Sequence, residues 1–171
     1  IEEHVKRVVD LPLVNSKDIR QKKIKVVVDA VNSTGGIAIP LLLDAFGVTT
    51  IPIYCEPTGH FPHNPEPLKE HLTELSEKVV KEKADFGIIV DPDVDRLAFV
   101  DENGVVFGEE YTLVACSDYV LSKTPGDTVS NLSSTLALSD ITQKRNGNYH
   151  ASAVGEVNVV EKMKEVKAVI G

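Results

Sequence analysis

The segment Asp91-Pro-Asp-Val-Asp-Arg96 carries the residues best suited to chemistry in this 171-residue chain. Its three aspartates alternate at i, i+2 and i+4, directly after the apolar run FGIIV. In open α/β sheets ligands collect outside the carboxyl ends of strands, where a loop can turn three carboxylates inward. Unpaired carboxylates would repel one another, and a hard cation such as Mg²⁺ or Ca²⁺ removes that repulsion. We predict that Asp91, Asp93 and Asp95 ligate Mg²⁺, because Mg²⁺ keeps positions open for phosphate and water.

Arg96 follows the aspartates directly, and we predict that it binds phosphate. A guanidinium presents a planar fork that can hold a phosphate through two hydrogen bonds. Two other kinds of site do not match the sequence around these aspartates. An EF-hand loop starting at Asp91 would have its twelfth-position acid in Glu102, but Arg96 stands where the sixth-position glycine belongs. An aspartyl-phosphate phosphatase has a Thr- and Gly-rich stretch after its DxD, and none follows Asp93.

Two further segments are interpreted as structural. Residues 32–36, NSTGG, follow a predicted strand and open a helix, where backbone N–H groups can bind phosphate. They lack the lysine of a P-loop and the GxGxxG spacing, which favours a turn. His60, His63 and Glu66 lie in a proline-rich loop with no matching cluster of ligands, so we expect loop packing or solvent exposure for them.

The elements that must position the acidic loop alternate between strands and helices. A short helix is predicted over residues 1–14, followed by a polar connector up to residue 23. The first domain then has strands at 24–30 and 48–55, helices at 37–47 and 68–84, and a strand, acidic loop and strand within 85–109. Parallel strands need a crossover, which the helices provide. The strand after the acidic loop follows too closely for a crossover, so we expect it antiparallel at a sheet edge, with a hairpin turn at Asn103-Gly104.

The predicted fold class is α/β. It comprises a three-layer α/β/α domain with a mixed, mostly parallel four-stranded sheet, followed by an incomplete second α/β domain. In the second domain, helices are predicted at 109–123 and 134–147, with a short strand within 127–135 and a final strand and helix after residue 147. Residue 1 is Ile and the single methionine is Met163, so we expect an excised piece of a longer protein.

Composition excludes several partners and compartments. The chain has 18 Lys and Arg against 26 Asp and Glu, a net charge of −8, which argues against nucleic-acid binding. No apolar run approaches the roughly 18 residues of a membrane span. Cys55 and Cys116 form no disulfide framework, and we interpret them as buried or half-buried thiols of a reducing, cytoplasmic protein.

The segment IIVDPDVDRLAFVDENG resembles the metal-binding loop of the α-D-phosphohexomutase superfamily, which includes phosphoglucomutase, phosphomannomutase and phosphoglucosamine mutase. Other segments resemble parts of the family's second and third domains: KVVVDAVNSTGG, HNPEPLKEHLTEL, VSNLSSTLAL and SAVGEVNVVEKM. The resemblance spans nearly the whole chain. It implies that residues 1–107 are domain II, with the Mg²⁺ loop, and that residues 108–171 are the N-terminal part of domain III.

The resemblance also implies a reaction. The intact enzyme would transfer a phosphoryl group within a hexose phosphate, through a phosphoserine and a bisphosphorylated intermediate. Asp91, Asp93 and Asp95 would ligate Mg²⁺ together with a phosphoserine oxygen, and Arg96 would contact the phosphoryl group or the sugar. The family's serine loop, roughly T-A-S-H-N-P, and its sugar-reading loop, G-E-x-S-G, are absent from the chain. We therefore expect no catalytic residue in this chain and no activity from it alone.

Partners follow from the same resemblance. In the intact enzyme we expect a hexose phosphate substrate and the missing domains of the parent chain, with no nucleic acid and no membrane. Open strand edges predict self-association. The alternative function, from a different class, is a non-catalytic α/β module that binds a cation or a small ligand.

Overall fold

The β-branched run near residue 26 and the apolar run before Asp91 form the centre of a four-stranded sheet in the computed structural model. Three strands are parallel: β1 (Lys25–Asp29), β2 (Thr49–Ile53) and β3 (Phe86–Val90). β4 (Leu97–Asp101) pairs antiparallel with β3, and the order across the sheet is β2-β1-β3-β4. The predicted mixed, mostly parallel sheet is thus confirmed, with the antiparallel strand at the edge.

The structure describes residues 1–171 except for the side chain of Glu109. The chain separates into two compact units, Ile1–Glu109 and Glu110–Gly171.

Helices cover both faces of the four-stranded sheet, which explains why β1 and β3 are almost fully buried. On one face, α3 (Gly35–Ala45) packs Ile39 and Leu43 against the β1 and β3 side chains, and α1 (Glu2–Val9) contacts α3. On the other face, a 3₁₀ turn (Lys69–His71) leads into α4 (Thr73–Glu82). The buried Leu75 and Val79 of α4 pack into the core on this face together with Val27 and Ile89, as the apolar spacing predicts.

Helix boundaries differ from the predictions in the first unit. The first helix ends at Val9, and the predicted polar connector contains a second helix, α2 (Ser16–Gln21). Asn15 is the N-cap of α2, because its side chain accepts a hydrogen bond from the Asp18 amide at 3.2 Å. This cap is the sequence feature that marks the start of the helix. α3 begins at Gly35, two residues earlier than predicted, so Pro40 lies in the second turn and not in the first. Gly47 follows α3 with φ of +68°, as the prediction of a glycine C′ residue requires.

The second unit contains the remainder of α5 (Glu109–Lys123), β5 (Thr128–Asn131), α6 (Ala137–Lys144), β6 (Tyr149–Ser152) and α7 (Glu156–Val166). β5 and β6 pair in parallel, and Ile170 adds a single parallel bridge to Thr128. The left-handed residue after α6 is Asn146 (φ +62°), one residue before the predicted cap Gly147.

The two cysteines differ in exposure. Cys55 is half-buried, as predicted, but Cys116 is exposed on α5, so the prediction of a buried or half-buried thiol is wrong for Cys116. Within the part of the chain that the structure describes, no helix has both the length and the apolar character needed to cross a membrane.

Candidate metal and phosphate site

The acidic loop is a tight connection between β3 and β4, organised by its first aspartate. Asp91 directly follows β3 and is only 6% exposed. Its Oδ1 accepts hydrogen bonds from the backbone N–H groups of Asp95 (3.1 Å) and Arg96 (3.0 Å). The Val94 amide donates to the Asp91 carbonyl at 3.2 Å, and Val94 has a left-handed φ of +64°. The side chain of Asp91 therefore holds the loop in a conformation that a β-branched residue disfavours.

The loop brings the three predicted metal ligands together. Asp91, Asp93 and Asp95 each offer one carboxylate oxygen, and these oxygens lie within 4.8 Å of one another. Asp91 is buried, whereas Asp93 and Asp95 are exposed. In an octahedral Mg²⁺ site with bonds of about 2.1 Å, ligand oxygens lie about 3.0 to 4.2 Å apart. Three carboxylates at this spacing fit a hard divalent cation after small side-chain rotations.

Charge within the cluster is unevenly distributed. Burial alone would raise the pKa of Asp91, but the backbone hydrogen bond from Arg96 and the hydrogen bonds with Asp95 and Asp93 hold it below its ordinary value. The pKa of Asp95 is raised, first by its hydrogen bond with the Asp91 side chain and then by desolvation and by the charges of Asp91 and Asp93. Opposite pKa shifts in two neighbouring carboxyl groups mark a repulsion that a cation would relieve.

Arg96 lies beside the cluster and is paired with a residue from another loop. Its Nη1 lies 2.8 Å from Oε1 of Glu66, and its Nε lies 4.0 Å from Oδ2 of Asp91. The Arg96 side chain remains 58% exposed, so further donors of its guanidinium can reach an anion. The sequence predicts only loop packing or exposure for Glu66, and no sequence signal links two residues 30 positions apart.

A second polar pair, which no sequence pattern predicts, lies at the same edge of the sheet. Asp29 ends β1 and is 1% exposed; its Oδ1 accepts the Val31 amide at 2.9 Å. Its Oδ2 lies 2.9 Å from Nε2 of His63, while Nδ1 of His63 lies 2.8 Å from the Asn64 carbonyl. Burial raises the pKa of Asp29, partly offset by the Val31 amide and by His63. His63 is thus packed within its loop, as predicted, and its ring contacts the buried side chain of Asp29.

The NSTGG segment serves packing. Gly35 and Gly36 open α3, and a Cβ on Gly36 would collide with the backbone carbonyl of Cys55. The glycines therefore allow α3 to approach the end of β2 closely, which agrees with the structural interpretation of this segment.

Comparisons with known proteins point to one family across both units. Residues 2–104 match the family model described as phosphoglucomutase/phosphomannomutase, alpha/beta/alpha domain II, and residues 108–171 match the model of alpha/beta/alpha domain III. A phosphoglucomutase/phosphomannomutase of Thermococcus kodakarensis is 35% identical over 160 residues, which are 92% of this chain and 35% of that protein. A phosphomannomutase/phosphoglucomutase of Pseudomonas aeruginosa is 36% identical over 152 residues, covering 87% of this chain and 33% of that protein.

Solved structures agree with the sequence comparisons. A crystal structure of a phosphoglucomutase/phosphomannomutase family protein from Burkholderia thailandensis superposes with a TM-score of 0.80 at 25% identity, covering 99% of this chain and 37% of that one. This chain spans about a third of the length of the curated relatives it matches.

Proposed function

This chain belongs to the phosphoglucomutase/phosphomannomutase family of the α-D-phosphohexomutase superfamily, and we propose that it supplies the Mg²⁺ loop of a hexose-phosphate mutase. The observation that carries the proposal is the convergence of three carboxylates after β3, with a guanidinium directly beside them. A cation and an arginine are the groups that phosphoryl transfer requires, because charge accumulates on the phosphoryl oxygens in the transition state.

Each residue of the loop has a distinct part in this proposal. Asp91, Asp93 and Asp95 would hold Mg²⁺, and Asp91 also holds the loop conformation through the amides of Asp95 and Arg96. When bound, the cation neutralises charge on the transferring phosphoryl group. Arg96 would bind phosphoryl oxygens through its exposed guanidinium donors and orient the group in the site.

The activity of the intact enzyme is part of the proposal. A phosphoserine would donate its phosphoryl group to a hexose phosphate, and the second phosphate of the resulting bisphosphate would return to the serine. The chain contains no T-A-S-H-N-P segment for that serine, so we propose that it is inactive alone and acts with the remaining domains of its parent in the cytoplasm. Unpaired groups along the open sheet edges would support association between copies.

Calorimetric titration with Mg²⁺ tests the metal loop. Asp93→Ala removes one exposed ligand and should weaken Mg²⁺ binding by about tenfold or more. Asp44→Ala is the matched control, because Asp44 is an exposed aspartate on α3 outside the cluster. Equal Mg²⁺ affinity in the wild-type chain and Asp93→Ala would refute the metal assignment.

A mutase assay tests the proposed division of labour. With glucose 1-phosphate and a bisphosphate activator, the 171-residue chain should give no turnover. Clear turnover by this chain would overturn the proposal that the phosphoserine is supplied by another segment.

A further inference from the structure

The proline-rich loop, residues 56–67, is anchored to the carboxyl end of β1. Nδ2 of Asn32 donates to the His60 carbonyl at 3.0 Å, and the Gly59 amide donates to the Asn32 carbonyl at 3.0 Å. His63 adds the contact with buried Asp29. Ordering twelve residues without a helix or strand costs considerable conformational entropy. These contacts indicate that the loop is held in one defined position against the end of β1.

The contacts of His63 require one more proton than a neutral imidazole and a carboxylate carry together. Both ring nitrogens face oxygen atoms, the Asn64 carbonyl at 2.8 Å and Oδ2 of Asp29 at 2.9 Å. A neutral imidazole carries only one N–H, so the second contact needs a proton on the ring or on the carboxyl group. With that proton the pair has no net charge, which suits side chains that are 20% and 2% exposed.

Glu66 follows His63 by three residues and is held at its backbone. Its amide donates to Oδ1 of Asn64 at 3.1 Å, and its carbonyl accepts the Leu68 amide at 2.8 Å. Its carboxylate contacts Nη1 of Arg96 at 2.8 Å. The anchored loop thus delivers a carboxylate to the arginine that follows the acidic cluster.

An exposed ion pair such as Glu66–Arg96 adds little stability, so its value lies in orientation. Arginine loses much rotamer freedom when it binds an anion, and a guanidinium held in place beforehand loses less. We propose that Asp29, His63 and Glu66 are positioning residues that hold Arg96 ready for a phosphoryl group. The benefit for phosphate binding rests on the proposed function of Arg96, whereas the tether itself does not.

NMR of the Arg96 Nε–H group measures the tether without metal or phosphate. In the ¹⁵N-labelled chain, Glu66→Gln should lower the heteronuclear NOE of this group towards that of a freely rotating side chain. Glu56→Gln, a change of the same kind in the same loop, should leave it unchanged. His63→Gln should act like Glu66→Gln although His63 lies far along the chain from Arg96. An unchanged NOE in either Glu66→Gln or His63→Gln would overturn the proposal.

Asp29 provides an internal rescue. Asp29→Asn keeps an oxygen for the Val31 amide and offers an N–H to a neutral His63, so the Arg96 NOE should stay at the wild-type value. Asp29→Ala removes the side-chain contacts with both the Val31 amide and His63, and it should lower the Arg96 NOE. If both variants lower the NOE equally while their amide spectra stay dispersed, Asp29 does not act through His63, and its assignment as a positioning residue is wrong.

Inorganic phosphate in the presence of Mg²⁺ tests the consequence. His63→Gln retains the charge of Glu66, so its effect reports orientation and should weaken phosphate binding by about 3- to 10-fold. Tighter binding would mean that Glu66 competes with phosphate for Arg96 and would overturn the positioning role. If the wild-type chain binds no phosphate while the NOE results hold, the proposed function of Arg96 fails and the tether stands.

Discussion

Asp91→Asn should separate the folding of the acidic loop from its ability to bind a cation. Oδ1 of Asp91 accepts the amides of Asp95 and Arg96, whereas Oδ2 lies 4.0 Å from Nε of Arg96 and is not used by the loop backbone. Asparagine can keep an oxygen towards the two amides and place its NH₂ group where Oδ2 stood. An NH₂ group is not a ligand for Mg²⁺.

The magnitude follows from the two hydrogen bonds. Hydrogen bonds to a charged group contribute about 1.5 to 3 kcal/mol each, and the loop borders solvent, so we use the lower end. Asp91→Ala should then lower the free energy of local opening by about 3 kcal/mol, whereas Asp91→Asn, which weakens both bonds only by removing the charge, should lower it by about 1 kcal/mol. Because 1.36 kcal/mol is a factor of ten, these values correspond to about 150-fold and about fivefold.

Amide hydrogen exchange and calorimetry read the two effects independently. Exchange at Asp95 and Arg96 should accelerate by those factors, and both variants should lose Mg²⁺ binding. Asp101→Asn is the matched control, because Oδ1 of Asp101 accepts the amides of Asn103 (2.9 Å) and Val105 (2.8 Å) in the neighbouring turn, outside the cluster. Wild-type Mg²⁺ affinity in Asp91→Asn, or wild-type exchange in Asp91→Ala, would refute the reasoning.

Two further predictions concern packing and thiol reactivity. A Cβ on Gly87 would lie 2.8 Å from Cγ2 of Val79 and 2.9 Å from Cδ1 of Leu75. Gly87→Ala should therefore push α4 away from the sheet and lower the free energy of unfolding of the first unit by about 1 to 3 kcal/mol, as measured by urea unfolding. An unchanged midpoint of the urea transition would contradict this packing. Burial and the charge of Asp29 raise the pKa of Cys55 to about 11. A thiol reagent at pH 8 should therefore label the exposed Cys116 well before Cys55, and mass spectrometry can follow both reactions. Equal labelling rates would show that Cys55 is more accessible than the structure indicates.

Local patterns predict the sheet and the acidic loop because their causes are local. The buried strands are continuous β-branched or apolar runs, and α4 shows apolar residues at helical spacing. The three aspartates are neighbours in sequence and in space. Helix α2 is missed because six residues are too few for periodicity, and its cap, Asn15, stands in a stretch that otherwise resembles a polar connector.

Pairs between distant segments could not be predicted from the sequence. Asp29 and His63 are 34 residues apart, and Glu66 and Arg96 are 30 apart. Each residue has a sufficient local explanation, in a strand end, a proline-rich loop or an acidic loop. Only the parallel pairing of β1 with β3 brings their carboxyl ends to one edge, where the loops meet. The acidic cluster could therefore be predicted from the sequence, whereas the contacts of Glu66 and His63 could not.

The order of the strands also explains why the acidic loop is built around a single buried acid. Because β4 returns antiparallel beside β3, only residues 91–96 connect two paired strands, and the chain must reverse there through Val94 in a left-handed conformation. Asp91 stabilises that reversal and would also face the cation, while Asp93 and Asp95 are exposed and have no comparable part in the fold. Changes at the side chains of Asp93 or Asp95 should thus weaken cation binding with little effect on loop folding, and we expect the two properties to be coupled at Asp91.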